Sequence, residues 1–233
     1  MSNWKEIWDK KDRVQKYILE CMVKSDGFDS LGTFQVQNWS DYCETLYSKV
    51  GVREGVSVFE AGCGSGAFLY PLFLKGNTVG GLDYCEQLVN MAGSFMPGFN
   101  FLCADAEELD IDEKFDVVVC HSLFQYFQDY DKARTVLEKM ILKSNKVIGV
   151  FDVCDEEMKA QYHKERIEHF VKGGSTEAQY WEKYQNLDHF FYSRTFFESV
   201  ANEFGLQLEF SPQTDPNYGN SRLRYNVIFR KFV

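Results

Sequence analysis

Between residues 56 and 121 the chain holds four short apolar runs, each cut off by a glycine turn, an acid or a polar residue. The first, 56–59, leads into Glu60-Ala61-Gly62-Cys63-Gly64-Ser65-Gly66; the second, 77–82, ends at Asp83. The third, 99–103, runs into Ala104-Asp105-Ala106, and the fourth, 115–120, into His121. Apolar runs of this length bounded by turn residues read as buried strands. The fourth is almost wholly apolar, the pattern of a strand covered on both faces. Strands that alternate with helix-length segments pair in parallel, which commits the chain to an α/β sheet layered with helices.

Gly62, Gly64 and Gly66 carry no Cβ, so the backbone can turn through positive φ and let a ligand lie close. A dinucleotide fingerprint reads G-x-G-x-x-G, whereas here an acid precedes G-x-G-x-G. Glu60 would repel a pyrophosphate but would attract a ligand that carries an ammonium. The motif resembles the first motif of the class I, seven-stranded S-adenosylmethionine-dependent methyltransferases of small molecules. The resemblance implies a three-layer Rossmann-like sandwich with a seven-stranded, mostly parallel sheet and an antiparallel last strand. It also implies S-adenosyl-L-methionine as cofactor, S-adenosyl-L-homocysteine as product, and no metal. Glu60, Gly62, Cys63, Gly64 and Gly66 then form the cofactor turn. Asp83, about twenty residues beyond the first glycine, would accept from both ribose hydroxyls. Tyr84 offers a ring beside the adenosine, Asp105 and the Ala106 amide would read the adenine, and His121 would flank the methionine half. Taken singly, Asp83 and Asp105 also suit turn or helix-capping roles. Taken together they mark the carboxyl ends of successive strands, where ligands of open α/β sheets bind.

The resemblance implies one methyltransferase domain over 1–233, which divides into zones. Residues 1–50 read as a helical lid, with Trp4, Trp8, Trp39 and Tyr42 either facing the ligand or simply anchoring helices. Residues 56–152 are the cofactor half, closed by a fifth strand at 146–152. Residues 153–190 form a helical insertion that shapes the substrate pocket, its second helix started by Ser175 or Thr176. Residues 191–233 hold a last helix, capped by Ser193 and stopped by Gly205, then two strands at 206–210 and 225–229 that look antiparallel.

Methyl transfer is an in-line displacement, and an acceptor hydroxyl or acid must give up its proton. His121 and His189 flank the expected site and are the candidate bases, while His163 and His169 sit in a charged helical stretch and read as solvated. Arg222 and Arg224 would share one strand face by period two and grip a phosphate or carboxylate; pairing with surface acids is the competing reading. Trp8, Tyr17, Tyr218 and Asn220 complete the substrate-binding set, with Asn226 a further hydrogen bonder. An oxygen acceptor, on an anionic metabolite, is preferred. N-methylation of a small amine, a non-catalytic S-adenosylmethionine-binding protein and a Rossmann dehydrogenase are the alternatives. The formal charge of −10 disfavours nucleic acid, which asks for a basic face. Seven cysteines without a C-x-x-C pair suggest neither a disulfide framework nor a zinc site, and point to a reducing cytoplasm. With no apolar stretch near ~20 residues, neither a membrane span nor a signal peptide is expected. The expected form is a soluble monomer or homodimer.

Overall fold

The computed structural model describes residues 4–28, 36–184, 188–213, 215 and 218–232. Seven strands form one sheet: β1 (Val58–Ala61), β2 (Val79–Asp83), β3 (Phe101–Cys103), β4 (Phe115–His121), β5 (Ser144–Cys154), β6 (Gln207–Pro212) and β7 (Arg224–Arg230). Their order is β3-β2-β1-β4-β5-β7-β6, with β1 to β5 parallel and β7 antiparallel to both of its neighbours. This is the class I methyltransferase arrangement expected from the glycine motif.

Side-chain alternation splits the core into two layers. Along β4, Val117 and Val119 face one cluster, while Val118 and Cys120 face the other. The first layer is closed by α1 (Trp4–Ser25), α2 (Val36–Lys49), α3 (Tyr70–Leu74) and α4 (Glu86–Phe95). The second is closed by α5 (Tyr130–Lys143) and α8 (Arg194–Phe204). Local signals set these helices. Asp129 caps α5 by accepting from the Lys132 amide at 2.8 Å. Gly205 ends α8 in the left-handed conformation, φ 61°. Ser193 stands at the N-cap of α8 as expected, but its hydroxyl pairs with Thr195 Oγ1 (2.8 Å) rather than with a helix amide.

Between β5 and α8 the insertion carries α6 (Lys159–Lys172) and α7 (Glu177–Tyr184). Thr176 starts α7 reciprocally: its hydroxyl accepts from the Gln179 amide, and its own amide donates to Gln179 Oε1. β5 is longer than its apolar run suggests and is interrupted by a register shift between Val150 and Val153. Within that shift Asp152 takes φ 62°, and facing it just beyond β4 Ser122 takes φ 53°. Two non-glycine residues in the left-handed region, one at a strand irregularity and one just past a strand end, mark a strained corner of the sheet.

Among the described residues, no helix is long and apolar enough to cross a membrane. No three His, Cys, Asp or Glu side chains among them gather into a metal-holding group.

Candidate active site

A cavity of about 870 Å³ opens over the carboxyl ends of β1, β2 and β4 and runs on beneath the insertion. Pockets for small ligands measure about 300–1,000 Å³, so this cavity lies near the top of that range. One end is acidic. Asp83 accepts from the Gly64 amide (3.0 Å) and the Cys85 amide (2.8 Å), which fixes the glycine turn onto β2. Asp26, in the turn after α1, accepts from the Ser65 amide (2.7 Å) and the Ser65 hydroxyl (2.9 Å). Gly64 stands at φ 51°, and a Cβ there would lie 2.6 Å from Asp26 Oδ1, so glycine is required by both conformation and space. Glu60 is buried and its Oε2 has no hydrogen-bond partner. Burial, then the neighbouring Asp26 and Asp83, push the Glu60 carboxyl well up, and burial lifts Asp26 to about 7 against the Ser65 hydrogen bonds. Three carboxyl groups, one with an orphaned oxygen, around a bare glycine backbone make a receptor for a cation that also offers hydroxyl donors.

The middle of the cavity is aromatic and imidazole-lined. Gln213 Nε2 donates to Tyr42 Oη (2.6 Å), and Tyr42 Oη lies 2.7 Å from His121 Nε2. The tautomer with the His121 proton on Nδ1 lets the Tyr42 hydroxyl donate to Nε2 while it accepts from Gln213. The imidazole sits among the rings of Phe28, Trp39, Tyr42 and Phe68, and burial pulls it down to about 4. His189 is built the same way: Arg166 donates to Tyr162 Oη (2.6 Å), and that hydroxyl lies 2.8 Å from His189 Nδ1. Burial, with Arg224 and Arg166 close by, takes His189 to about 3.

Behind the histidines lies a buried ion pair. Arg224 and Asp152 are both buried, with Nη1 3.6 Å from Oδ2 and 3.1 Å from the Asp152 carbonyl, and Arg224 also grips Gln125 Oε1. Burial opposes the guanidinium's charge, but Asp152 and Tyr218 hold its pKa above the ordinary value. Asp152 Oδ2 further accepts from Ser122 Oγ (2.5 Å) and Tyr218 Oη (2.9 Å), and its amide donates to Asn226 Oδ1 (3.0 Å).

Of the residues singled out in the sequence, Glu60, Gly62, Cys63, Gly64, Asp83, Tyr84, His121, His189, Tyr218, Asn220 and Arg224 line this one cavity. Gly66 stands behind them in the turn, at φ 83° against Met96. Other expectations are corrected. Asp105 does not line the cavity; its carboxylate caps a 3-10 turn, Ala106–Glu108, and pairs with Lys132, while Ala106 is buried in the core. Arg222 and Arg224 share no strand face, because a 3-10 turn, Ser221–Leu223, precedes β7 and sends Arg222 outward to Glu165. Tyr17 is 68 % exposed on α1, away from the cavity. Asn226 is buried beneath Asp152. His169 is exposed but stands at the cavity wall, and half-buried His163 packs on Trp181 and Phe191 instead of being solvated. Trp39 and Tyr42 are at once core residues and neighbours of His121; the side chains of Trp4 and Trp8 lie outside the described residues.

Five positions at or beside the cavity escaped the sequence reading. Asp152 closes the fifth apolar run as Asp83 closes the second, and that signal was available. Tyr162, Arg166 and Phe170 recur every fourth residue on α6, an aromatic stripe broken by one guanidinium. Asp26 offered no signal, since its role depends on how α1 docks against the glycine turn.

Residues 59–148 match the family model described as a methyltransferase domain. A malonyl-[acyl-carrier protein] O-methyltransferase of Calditerrivibrio nitroreducens is 35 % identical over 120 residues, 48 % of this chain and 46 % of the relative. The Bacillus anthracis protein of the same name is 26 % identical over 112 residues, 46 % of this chain and 41 % of the relative. The chain thus spans less than half the length of these curated relatives. Among solved structures, a magnesium protoporphyrin IX methyltransferase from Synechocystis with bound S-adenosylmethionine superposes with a TM-score of 0.58 at 15 % identity. That match covers 93 % of this chain and 95 % of the other, a likeness of fold. The segment 59–148 is thus similar to a methyltransferase domain, and the fold is that of the class I methyltransferases.

Proposed function

We propose that this chain transfers a methyl group from S-adenosylmethionine to an oxygen of a small molecule. The observation that carries this reading is the single cavity that joins the acidic glycine turn to the aromatic insertion, with space for donor and acceptor together. When bound, S-adenosylmethionine supplies an electrophilic methyl carbon on a positively charged sulfur. Glu60 and Asp26 would offset the cofactor's positive charge, Asp83 would accept from ribose hydroxyls, and Tyr84 at the rim would face the base. The acceptor would lie under α6 and α7, where rings exclude water and hold it in line with the methyl group. Oxygen is favoured by the O-methyltransferase names of the sequence relatives. Seven unpaired cysteines accord with a reducing compartment such as the cytoplasm.

The histidines are assigned a different part from the base expected of them. With the tautomers that let each tyrosine hydroxyl donate to the ring nitrogen beside it, each histidine keeps one N–H to donate. At about 4 and about 3, neither conjugate acid is held near neutral pH. They suit an acceptor oxygen that arrives ionised, which they can orient without deprotonating it.

The test is incubation with methyl-labelled S-adenosylmethionine and a panel of carboxylated, phenolic, phosphorylated and amine metabolites. Label should move to oxygen in an ionisable member, with no rate inflection from His121 or His189 between pH 5.5 and 8. Transfer to amines alone would favour N-methylation. Binding of S-adenosylhomocysteine without any transfer would favour a non-catalytic binding protein.

A second expectation concerns pH and cofactor affinity. Asp26 is raised from 3.8 to about 7, so the ligand-free fold keeps a proton that the unfolded chain loses. The stability it contributes is full below 3.8 and lost as pH rises through about 7. A cationic ligand needs the ionised form, so S-adenosylmethionine affinity should rise up to about tenfold per pH unit below 7 and level off above. Calorimetric titrations at pH 5.5, 6.5 and 7.5 check this, and Asp26→Asn should flatten the slope while weakening binding at pH 7.5.

A further inference from the structure

The cavity is electrically polarised. Its glycine-turn end carries three carboxyl groups, whereas the wall opposite holds two arginines, and their bookkeeping differs. Arg224 is matched by the buried Asp152. Glu165, which also stands at the wall, is ion-paired with the exposed Arg222. Arg166 stands at the wall with no carboxylate within ion-pair distance among the described residues. Its guanidinium lies over Tyr184 (4.7 Å) and Tyr162 (5.2 Å) and donates one N–H to the Tyr162 hydroxyl. Tyr180, also at this wall and 5.9 Å from the guanidinium, is buried with its hydroxyl unmatched. With both histidines neutral, Arg166 is the wall guanidinium with no ion pair among the described residues, Asp188 acting on Tyr180 and His163 at longer range, and this in a chain whose formal charge is −10. A half-buried guanidinium facing a cavity without a counter-ion, next to an unsatisfied buried hydroxyl, is a site for a planar anion that accepts from several donors at once.

We propose that Arg166, with the Tyr180 hydroxyl, anchors a carboxylate group of the methyl acceptor at the insertion end of the cavity. This rests on the methyltransferase reading and deepens it by naming the substrate class. The anchored group is the handle rather than the reacting atom, because a guanidinium that occupies a carboxylate's lone pairs makes those oxygens poorer nucleophiles. The donor end is acidic and binds a cation; the acceptor end is basic and binds an anion. This field orients the two substrates head to tail in one space.

Benzoate is the probe, benzamide its neutral counterpart and inorganic phosphate its rival, each titrated into the protein saturated with S-adenosylhomocysteine. Benzoate should bind the unmodified protein, at least tenfold more weakly to Arg166→Ala, and intermediately to Arg166→Lys, which keeps the charge but not the fork. Benzamide should bind weakly and equally to all three. Should Arg166→Ala fail to fold, the Arg166→Lys comparison decides alone. Benzoate binding that is absent, or equal in Arg166→Lys and the unmodified protein, overturns the anchor, and tighter binding of phosphate overturns the carboxylate assignment. The S-adenosylhomocysteine affinity of the same samples separates the two readings. If the unmodified protein does not bind it, the methyltransferase reading fails, whereas intact binding with no benzoate effect sinks the anchor alone.

Discussion

Asp152→Ala should cost about 3–5 kcal/mol of folding stability, the loss that follows when one partner of a buried ion pair is removed and the other stays in place. Asp152 and Arg224 are both almost wholly out of water, and the Arg224 Nε already has no partner. Removing the carboxylate leaves the guanidinium with a carbonyl and a glutamine oxygen, and takes away an acceptor from the hydroxyls of Ser122 and Tyr218. Urea denaturation followed by circular dichroism measures the loss. Asp152→Ala combined with Arg224→Met should recover most of it, since a buried pair replaced by apolar groups of similar volume is often neutral. A loss no larger than that of an average substitution, about 1 kcal/mol, would show that water reaches this corner and that the pair is not buried in solution.

Asp83→Ala should weaken S-adenosylhomocysteine binding by about 1.5–3 kcal/mol, roughly ten- to hundredfold in Kd, with a smaller effect on folding. Its carboxylate holds the Gly64 and Cys85 amides, so it shapes the turn on which a ligand would lie as well as offering itself to that ligand. Asp83→Asn keeps one acceptor oxygen and should fall between the two proteins. Isothermal titration of all three separates the cases, and unchanged affinity in Asp83→Ala would move the ligand away from the end of β2.

The fold was legible because its signals are local. Each parallel strand is a short apolar run, each strand end a change of chemistry, and the glycine turn needs a backbone that only glycine tolerates. The antiparallel pair was legible from the alternation around Leu208 and Val227. What failed was whatever depended on one residue of backbone phase or on distant packing. Arg222 and Arg224 are two apart, which puts them on one face only if the strand has already begun; a single 3-10 turn cancels the inference. Asp105 satisfied a motif by position, yet three residues on stands Glu108, and that pair closes a capping box that turns the carboxylate onto its own 3-10 turn. Asp26 and Arg166 act across gaps that spacing cannot span, one through the docking of a helix end, the other through the fold of the insertion.

The position of β7 has a consequence for how the molecule is made. It is the seventh strand in sequence yet lies inside the sheet, between β5 and β6. During synthesis β5 must wait with an open edge, and Asp152 waits without its cation, because Arg224 arrives at the first residue of that same strand. Completion of the sheet and neutralisation of its buried acid are therefore one event, set by the emergence of the final strand. Until then a nascent chain would expose a sticky, unpaired flank for chaperones to shield.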